Sequence, residues 1–156
     1  MEYVFFWKRN ERYGCFSNWY GCSFTVDGIE YQSTEQYMMA EKARLFNDPE
    51  TEERIMKTTS PSKIKKLGKE VKGFDSKIWD ERKFEIVCKG NLEKFRQNPD
   101  LLSRLLETGD SIIVEASRDT IWGIGHTAKE AKTIPPERWG ENLLGKALMW
   151  VREQLR

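Results

Sequence analysis

The spacing of apolar and polar residues over positions 33–46 predicts an amphipathic helix. At ~100° per residue, one side is apolar and carries Met38, Met39, Ala43, Leu45 and Phe46. The opposite side carries Gln36, Ala40, Glu41 and Arg44. Glu35 and Lys42, two turns apart, point into the middle of the apolar side. Desolvating a carboxylate or an amine is costly unless it is paired, so we expect both side chains to face a cleft.

A carboxylate and an amine whose pKa can shift are components of a catalytic site. The same spacing also fits a buried structural ion pair, or a helix rotated so that both side chains reach water. At the start of the helix, Ser33 is the predicted N-cap, and Gln36 completes a predicted capping box.

The rest of the chain predicts short strands and several more helices. The strands are expected at residues 3–7, 23–26, 29–32 and 111–116, with a hairpin turn at Asp27-Gly28. The helices are expected at residues 50–57, 60–68, 76–97, 99–107 and 143–155. The longest is expected to bury Ile78, Trp79, Phe84, Val87, Cys88, Leu92 and Phe95. Residues 117–140 are expected to form a long loop. Because helices outnumber strands, these elements predict an α+β fold.

Length and charge favour a single-domain protein and argue against general binding to nucleic acid or membranes. A chain of 156 residues suits one domain, here residues 1–156. The net charge of +1 provides no general attraction to nucleic acid or membranes. Lysines crowd residues 57–72, a run that is typical of a solvated helix face. The N-terminal apolar run is too short for a signal peptide, and no run approaches the ~18 apolar residues of a membrane span. We therefore expect a soluble cytoplasmic protein.

The sequence gives no reason to expect a metal or an organic cofactor. Cys15, Cys22 and Cys88 lack metal-ligand spacing and are odd in number, which disfavours a zinc site and a disulfide scaffold. His126 is the single histidine, which makes Ser–His or Cys–His hydrolysis improbable.

Three further segments carry candidate binding groups. Ser17 and Asn18 lie between aromatic residues, which suits a polar ligand with a flat ring or a turn folded into the core. In residues 118–125, Asp119 could act as an acid, a base or an acceptor for sugar hydroxyls, and Trp122 could stack on a base. Gly123 would let a ligand approach the backbone closely. The alternative for this segment is an Asx turn beside a tryptophan in the core. Asn142 begins the last helix, where backbone N–H groups can hold a phosphate or form an ordinary cap.

Gly145 lies early in that last helix, where glycine is unfavourable by ~1 kcal/mol relative to alanine. We expect another group to approach its backbone closely.

Short motifs follow one another along almost the whole chain. They are Phe16-Ser17-Asn18, Val26-Asp27-Gly28, Thr34-Glu35-Gln36-Tyr37, Glu41-Lys42-Ala43, Ser60-Pro61, Leu67-Gly68, Trp79, Lys94-Phe95, LLETGD at 105–110, Val114-Glu115-Ala116, DTIWGIG at 119–125 and NLLGKALM at 142–149. In this order they resemble the YbiA-like, or NADAR, family of N-glycosidases. One departure is Gln36, where the family often has histidine. It is predicted to point away from Glu35 and Lys42, with at most a changed contact at the cleft rim.

The resemblance implies hydrolysis of the bond between ribose C1′ and a nitrogen. The implied substrates are phosphoribosylamino-pyrimidine intermediates of riboflavin synthesis, or ADP-ribosylated guanine, including guanine in nucleic acid. The implied catalytic residues are Glu35, Lys42 and Asp119. The expected substrate-binding residues are Ser17, Asn18, Trp79, Trp122, Gly123 and Asn142.

Two chemical routes fit an N-ribosyl amine. In one, a carboxylate stabilises an oxocarbenium-like transition state while water attacks C1′. In the other, the opened sugar reacts with a neutral lysine amine to give a Schiff base. Burial of Lys42 favours the second route because it disfavours the ammonium.

Two non-enzymatic interpretations remain open at this point. A non-catalytic sensor of ADP-ribose or nucleotides could use the same cleft. A nucleic-acid-binding module could use the lysines of residues 57–72, although the near-zero net charge argues against it. The oligomeric state is left open.

Overall fold

Four short strands and seven α-helices form the fold in the computed structural model, which describes residues 2–156. The strands are β1 (Tyr3–Phe6), β2 (Phe24–Val26), β3 (Ile29–Tyr31) and β4 (Ile112–Glu115). The helices are α1 (Thr34–Leu45), α2 (Pro49–Met56), α3 (Pro61–Gly68), α4 (Ser76–Gln97), α5 (Pro99–Leu106), α6 (Ala128–Ala131) and α7 (Leu143–Leu155). The predicted α+β class with a majority of helices is confirmed.

The chain divides into two compact units. The central unit comprises residues 21–98, and the terminal unit comprises residues 2–20 and 99–156. The assignment of residues 1–156 to a single domain stays a prediction, and its first residue lies outside the described residues. No helix within residues 2–156 has the length and apolarity needed to cross a membrane.

The central unit begins with a β-hairpin. Strands β2 and β3 pair antiparallel, with Phe24 opposite Tyr31. Asp27 and Gly28 form the turn with φ values of 52° and 80°, the left-handed conformations that a tight hairpin turn requires. The predicted hairpin is confirmed, and its inward residues Phe24, Val26 and Tyr31 join the core of the unit.

Helix α1 lies in the middle of the central unit and packs against α2, α3 and α4. It is therefore buried around most of its circumference, and the prediction of a simple amphipathic helix is wrong. Ala40, assigned to the polar side, is fully buried. Arg44 does lie on a polar side, where its guanidinium donates to Glu52 of α2 at 2.7 Å and to the Tyr31 hydroxyl at 2.6 Å.

Gln36 is a buried structural residue, and its amide contacts the end of α2. Its Nε2 donates to the carbonyls of Ile55 and Thr58 at 3.2 and 3.0 Å, at the end of α2. Ser33 caps α1 as predicted, because its Oγ accepts from the Gln36 N–H. The reciprocal half of the capping box is wrong: Gln36 Oε1 accepts from the Gln32 N–H at 2.8 Å.

Helix α4 has the predicted bounds, but its buried side differs from the prediction. Ile78 and Phe84 are 42% and 36% exposed. The buried side instead contains Lys83, Ile86, Val87, Cys88, Gly90, Asn91, Lys94 and Phe95. Gly90 belongs to this side because a Cβ there would meet the Tyr37 ring of α1. The close contact between α4 and α1 therefore requires a small residue at position 90.

The lysines at 57, 63, 65, 66, 69 and 72 are all exposed, which confirms the predicted solvated face.

In the terminal unit, β1 and β4 pair parallel, with Tyr3 opposite Ile112 and Phe6 opposite Glu115. Helix α7 packs on β4. Gly145 is required at this contact, since a Cβ there would collide with the Ile113 carbonyl oxygen; the predicted close approach is confirmed. The predicted loop over residues 117–140 is wrong in part, because it contains α6 and a 3-10 turn at Pro136–Arg138.

Candidate active site

Helix α1 places Glu35 and Lys42 two turns apart in the central unit. The Glu35 side chain is buried, and Lys42 is half-buried. Burial lowers the pKa of the Lys42 amine, whereas the charge of Glu35 raises it and that of Lys69 lowers it. The pKa is lowered overall, so that more of the amine is neutral near pH 7 than in an ordinary lysine. Glu35 acts on this pKa as a charge and not as a hydrogen-bond partner.

Two aromatic rings cover the Lys42 amine. Nζ lies 4.6 Å from the centroid of the Phe74 ring and 5.5 Å from that of Trp79. Trp79 is half-buried and packs against the core of the central unit. It stands one turn into α4, where the Asp75 carboxylate caps the helix by accepting from the N–H groups of Lys77 and Ile78. The structure thus brings three predicted site residues, Glu35, Lys42 and Trp79, into one region of the central unit.

Phe74 was missed by the sequence reasoning. A signal was available, because Phe74 directly precedes the N-cap residue Asp75 and Trp79 follows at the fourth helical position. Apolar residues at these two positions commonly pack together as a hydrophobic staple. An amine half-covered by these two rings, on a helix that also carries a buried carboxylate, has the parts needed for nucleophilic attack and proton transfer.

Asp119 lies in the terminal unit and forms an Asx turn, the alternative that the sequence left open. Its Oδ1 accepts from the N–H groups of Ile121 and Trp122 at 2.8 and 2.9 Å, and its carbonyl accepts from the Gly125 N–H. Asp119 is exposed and Trp122 is half-buried. One carboxylate oxygen therefore shapes the loop, and the predicted catalytic role of Asp119 stays a prediction.

Gly123 is buried for a reason internal to the fold. A Cβ at this position would collide with the side chains of Ser117 and Glu115 and with the Glu115 carbonyl. The close approach that the sequence assigned to a ligand is thus made by the protein itself. A role of Gly123 in substrate binding stays a prediction.

Asn142 occupies the predicted N-cap position of α7, but its side chain makes no capping hydrogen bond. Its backbone is left-handed, with φ 53°. Its Nδ2 donates to the Ile113 carbonyl, and its Oδ1 accepts from the Glu115 N–H, both at 2.9 Å. The side-chain amide therefore links the start of α7 to β4. Its assignment as a substrate-binding residue stays a prediction that these two bonds disfavour.

The first N–H groups of α7 do not support the predicted phosphate site. Those of Leu143 and Leu144 donate to the carbonyls of Ile121 and Trp122 at 3.0 and 3.1 Å. These bonds hold the backbone of Trp122 against the helix start and use the donors that an anion would need.

Ser17 and Asn18 follow a short 3-10 turn, Gly14–Phe16, in the terminal unit. Ser17 Oγ accepts from the Trp19 N–H at 3.1 Å, and Asn18 is buried. Phe16 is fully buried and packs edge-on against Phe6. This segment partly matches the alternative interpretation, a turn whose aromatic residues fold into the core. Phe16 is in the core, and Ser17 stabilises the turn.

Comparisons with known proteins identify the family. The NADAR domain family matches residues 5–156. N-glycosidase R617 of Acanthamoeba polyphaga mimivirus is 50% identical over 98% of this chain and 96% of its own length. The riboflavin biosynthesis protein VVA0006 of Vibrio vulnificus is 32% identical over 98% of this chain, which matches 38% of that longer protein.

The fold is also found in a solved structure. The NMR structure of the Escherichia coli protein YbiA aligns with a TM-score of 0.81 and 30% identity, over 99% of this chain and 84% of that one. The predicted YbiA-like fold is confirmed. Because one family matches nearly all of the sequence and a relative shares half of its residues over nearly its whole length, the chain belongs to the NADAR domain family.

Proposed function

We propose that this protein hydrolyses the bond between ribose C1′ and nitrogen in phosphoribosylamino-pyrimidines or in ADP-ribosylated guanine. The enzyme is a hydrolase acting on N-glycosyl compounds, as the name of the full-length mimivirus relative supports. The pyrimidine substrate is supported by the name of the Vibrio relative. One observation carries the mechanism: Lys42 presents a half-buried amine of lowered pKa beside Trp79, on the helix that carries Glu35.

In the proposed reaction, the ribose ring first opens, so that the ring oxygen gains a proton and C1′ becomes doubly bonded to the substrate nitrogen. The neutral Lys42 amine then adds to C1′. A proton moves to the substrate nitrogen, the C1′–N bond breaks, and the base leaves as an amine. The resulting Schiff base between Lys42 and ribose is hydrolysed by water, which restores the lysine and releases the sugar as an aldehyde. The net reaction consumes one water and involves no change of oxidation state.

Glu35 is the proposed proton carrier. A buried carboxylate on the same helix as the nucleophile can accept and return protons as the ring opens and the base departs. Its charge opposes the effect of burial on Lys42, so its presence is better explained by proton transfer than by tuning of the amine.

The other assigned residues enter through the family resemblance. Asp119 would hold ribose hydroxyls or share the proton transfers, and Trp79 and Trp122 would bind the base or sugar. Ser17 and Asn18 would contact polar groups of the substrate. Each of these roles can be tested by a single substitution, with the activity of the variant measured on the same substrate.

The alternative route, direct attack by water on an oxocarbenium-like C1′, predicts no covalent intermediate. Sodium cyanoborohydride added during turnover reduces a Schiff base and leaves the sugar attached to the lysine. We expect peptide mass spectrometry to find the adduct on Lys42, with none in Lys42→Arg and none on the exposed Lys65. Absence of the adduct together with substantial activity of Lys42→Ala would rule out the Schiff-base route.

The substrate is tested with a panel of riboflavin-pathway intermediates, ADP-ribosylated guanine, ADP-ribose and NAD. We expect release of the free amine and of the sugar phosphate from at least one N-ribosyl compound. Binding without release of product from any of them would support a sensor and overturn the proposal.

A further inference from the structure

Phe74 directly precedes Asp75, the N-cap residue of α4. Gly73 turns the chain with φ 75°, and Asp75 then caps the helix. The Phe74 ring packs edge-on against Phe46, the residue that ends α1, with centroids 5.4 Å apart. Although 46% of Phe74 is exposed, its ring is thus held between the end of one helix and the start of another.

The same ring is the nearer of the two that cover the Lys42 amine. Lys42 lies one turn before Phe46 on α1, so that α1 presents both the amine and the residue against which Phe74 packs. Phe74 and Trp79 occupy the two positions of α4 at which apolar residues commonly form a hydrophobic staple, on either side of the Asp75 cap. The amine is therefore covered by one ring from the first turn of α4 and one from the residue that precedes the helix cap.

We propose that Phe74 is a positioning residue for Lys42, whose ring keeps water from the amine and holds Nζ beside Trp79. Its catalytic consequence rests on the proposed function, because the nucleophile must be neutral and fixed to attack C1′. The effect on the amine itself does not depend on any reaction.

Two effects of the ring oppose each other. The face of an aromatic ring attracts the ammonium and so stabilises the charged form. Covering the amine removes water from it and so stabilises the neutral form. Burial is the largest cause acting on the pKa of Lys42, which is lowered overall. Among residues 2–156, the charged groups that act on this pKa are Glu35 on α1 and Lys69 after α3, while α4 contributes the Trp79 ring.

Variants of Phe74 separate the two effects. In Phe74→Ala the amine is hydrated, so the pKa of Lys42 rises toward that of an ordinary lysine. In Phe74→Leu most of the apolar cover remains while the attraction of the ring is lost, so the pKa stays as low as in the wild type or falls further. Phe84→Ala is the matched control, since it removes a partly exposed phenylalanine from the same helix.

The measurement is competitive acetylation of the full-length protein with acetic anhydride over a pH series. Peptide mass spectrometry gives the rate at Lys42 relative to the exposed Lys129, and the midpoint of the pH dependence reports the pKa. We expect a midpoint at higher pH in Phe74→Ala, a wild-type or lower midpoint in Phe74→Leu, and the wild-type midpoint in Phe84→Ala. An unchanged midpoint in Phe74→Ala, or equal midpoints in the Ala and Leu variants, would overturn the proposal.

Activity provides a second measurement. The acidic limb of kcat/KM against pH should move to higher pH in Phe74→Ala in step with the acetylation midpoint, with rates lower by up to about a hundredfold if the amine is also displaced by ~1 Å. The two hypotheses fail separately. Full activity of Lys42→Ala would remove the proposed mechanism but leave the acetylation shift intact, whereas an unshifted Phe74→Ala beside an inactive Lys42→Ala would remove only the role of Phe74.

Discussion

The Lys42 region of the central unit and the Asp119 loop of the terminal unit are built by different means. Lys42 is surrounded by side chains from separate segments, and its aromatic neighbours offer it no hydrogen-bond acceptor. The Asp119 loop is held by backbone hydrogen bonds, including Ile124 N–H to Glu115, Gly140 N–H to Ile124 and Glu141 N–H to Thr120.

This difference shows how each region controls its candidate reactive group. At Lys42 the control is desolvation, which acts on the protonation state of the amine and is changed by apolar substitutions. At Asp119 the control is geometric, because the carboxylate accepts two backbone hydrogen bonds that shape the loop. Substitutions at Lys42 should therefore alter chemistry without affecting the fold, whereas removal of the Asp119 side-chain oxygen should also affect the loop.

The largest effect is expected for Lys42→Ala. Removal of the nucleophile should lower kcat by about 10³-fold or more, the range of positioned acid, base and covalent groups. Thermal unfolding should show no loss of stability, because the amine is not part of a buried salt bridge that the fold requires. Product release measured by mass spectrometry gives the rate. Retention of a tenth of the activity or more would contradict the nucleophilic role.

Glu35→Gln should be next in size. The amide keeps the shape of the side chain but cannot carry a proton, so we expect kcat to fall about 10²-fold or more while the circular dichroism spectrum is unchanged. Glu35→Asp, which keeps a shortened carboxylate, should recover part of the rate. Unchanged turnover of Glu35→Gln would remove Glu35 from the mechanism.

Asp119→Asn tests whether the loop residue has a chemical role. The amide oxygen can still accept from Ile121 and Trp122, so the free energy of unfolding should stay within about 0.5 kcal/mol of the wild type. Asp119→Ala should lose about 1 kcal/mol, because both N–H groups lose their acceptor. If Asp119 transfers protons or binds ribose, Asp119→Asn should still lose about tenfold or more in kcat/KM. A fully active Asp119→Asn would make the residue purely structural.

The smallest effect concerns stability. Burial lowers the pKa of Lys42, so the unfolded chain binds more protons than the folded one between the lowered value and the ordinary ~10.4. Stability therefore rises with pH through that window, and below it the buried charge is a net penalty. Lys42→Met should raise the melting temperature slightly at neutral pH, and this gain should shrink as the pH increases. Lys65→Met, at an exposed site, should show no such trend. A gain in melting temperature for Lys42→Met that is independent of pH would contradict the predicted pH dependence of stability.

The local signals in the sequence predicted the positions of most elements. Asp27-Gly28, Ser33 and Ser60-Pro61 all act on their immediate neighbours, so the hairpin and the starts of α1 and α3 follow from a few adjacent residues. The helical pattern singled out Glu35 and Lys42, and the family resemblance added Trp79; the structure brings these three residues into one region.

Burial was predicted less well, because it depends on what packs against each element. Gln36 looks like a surface residue on a helical projection, yet the end of α2 supplies two carbonyls for its amide. Phe84 looks like a core residue, yet it lies outside the buried side of α4, which contains Gly90. Asn142 looks like a helix cap, yet β4 lies close enough to take both ends of its amide.

The sequence by itself determined the class of fold, the family and the presence of a carboxylate and an amine two turns apart on one helix, since periodicity and short-range caps are local properties. Only the tertiary structure decided that Phe74 and Trp79 cover that amine. It also decided that the side chains of Asp119 and Asn142 form hydrogen bonds with backbone groups. Desolvation and hydrogen-bond partners are supplied by segments far apart in the chain, and no local pattern specifies which segments will meet.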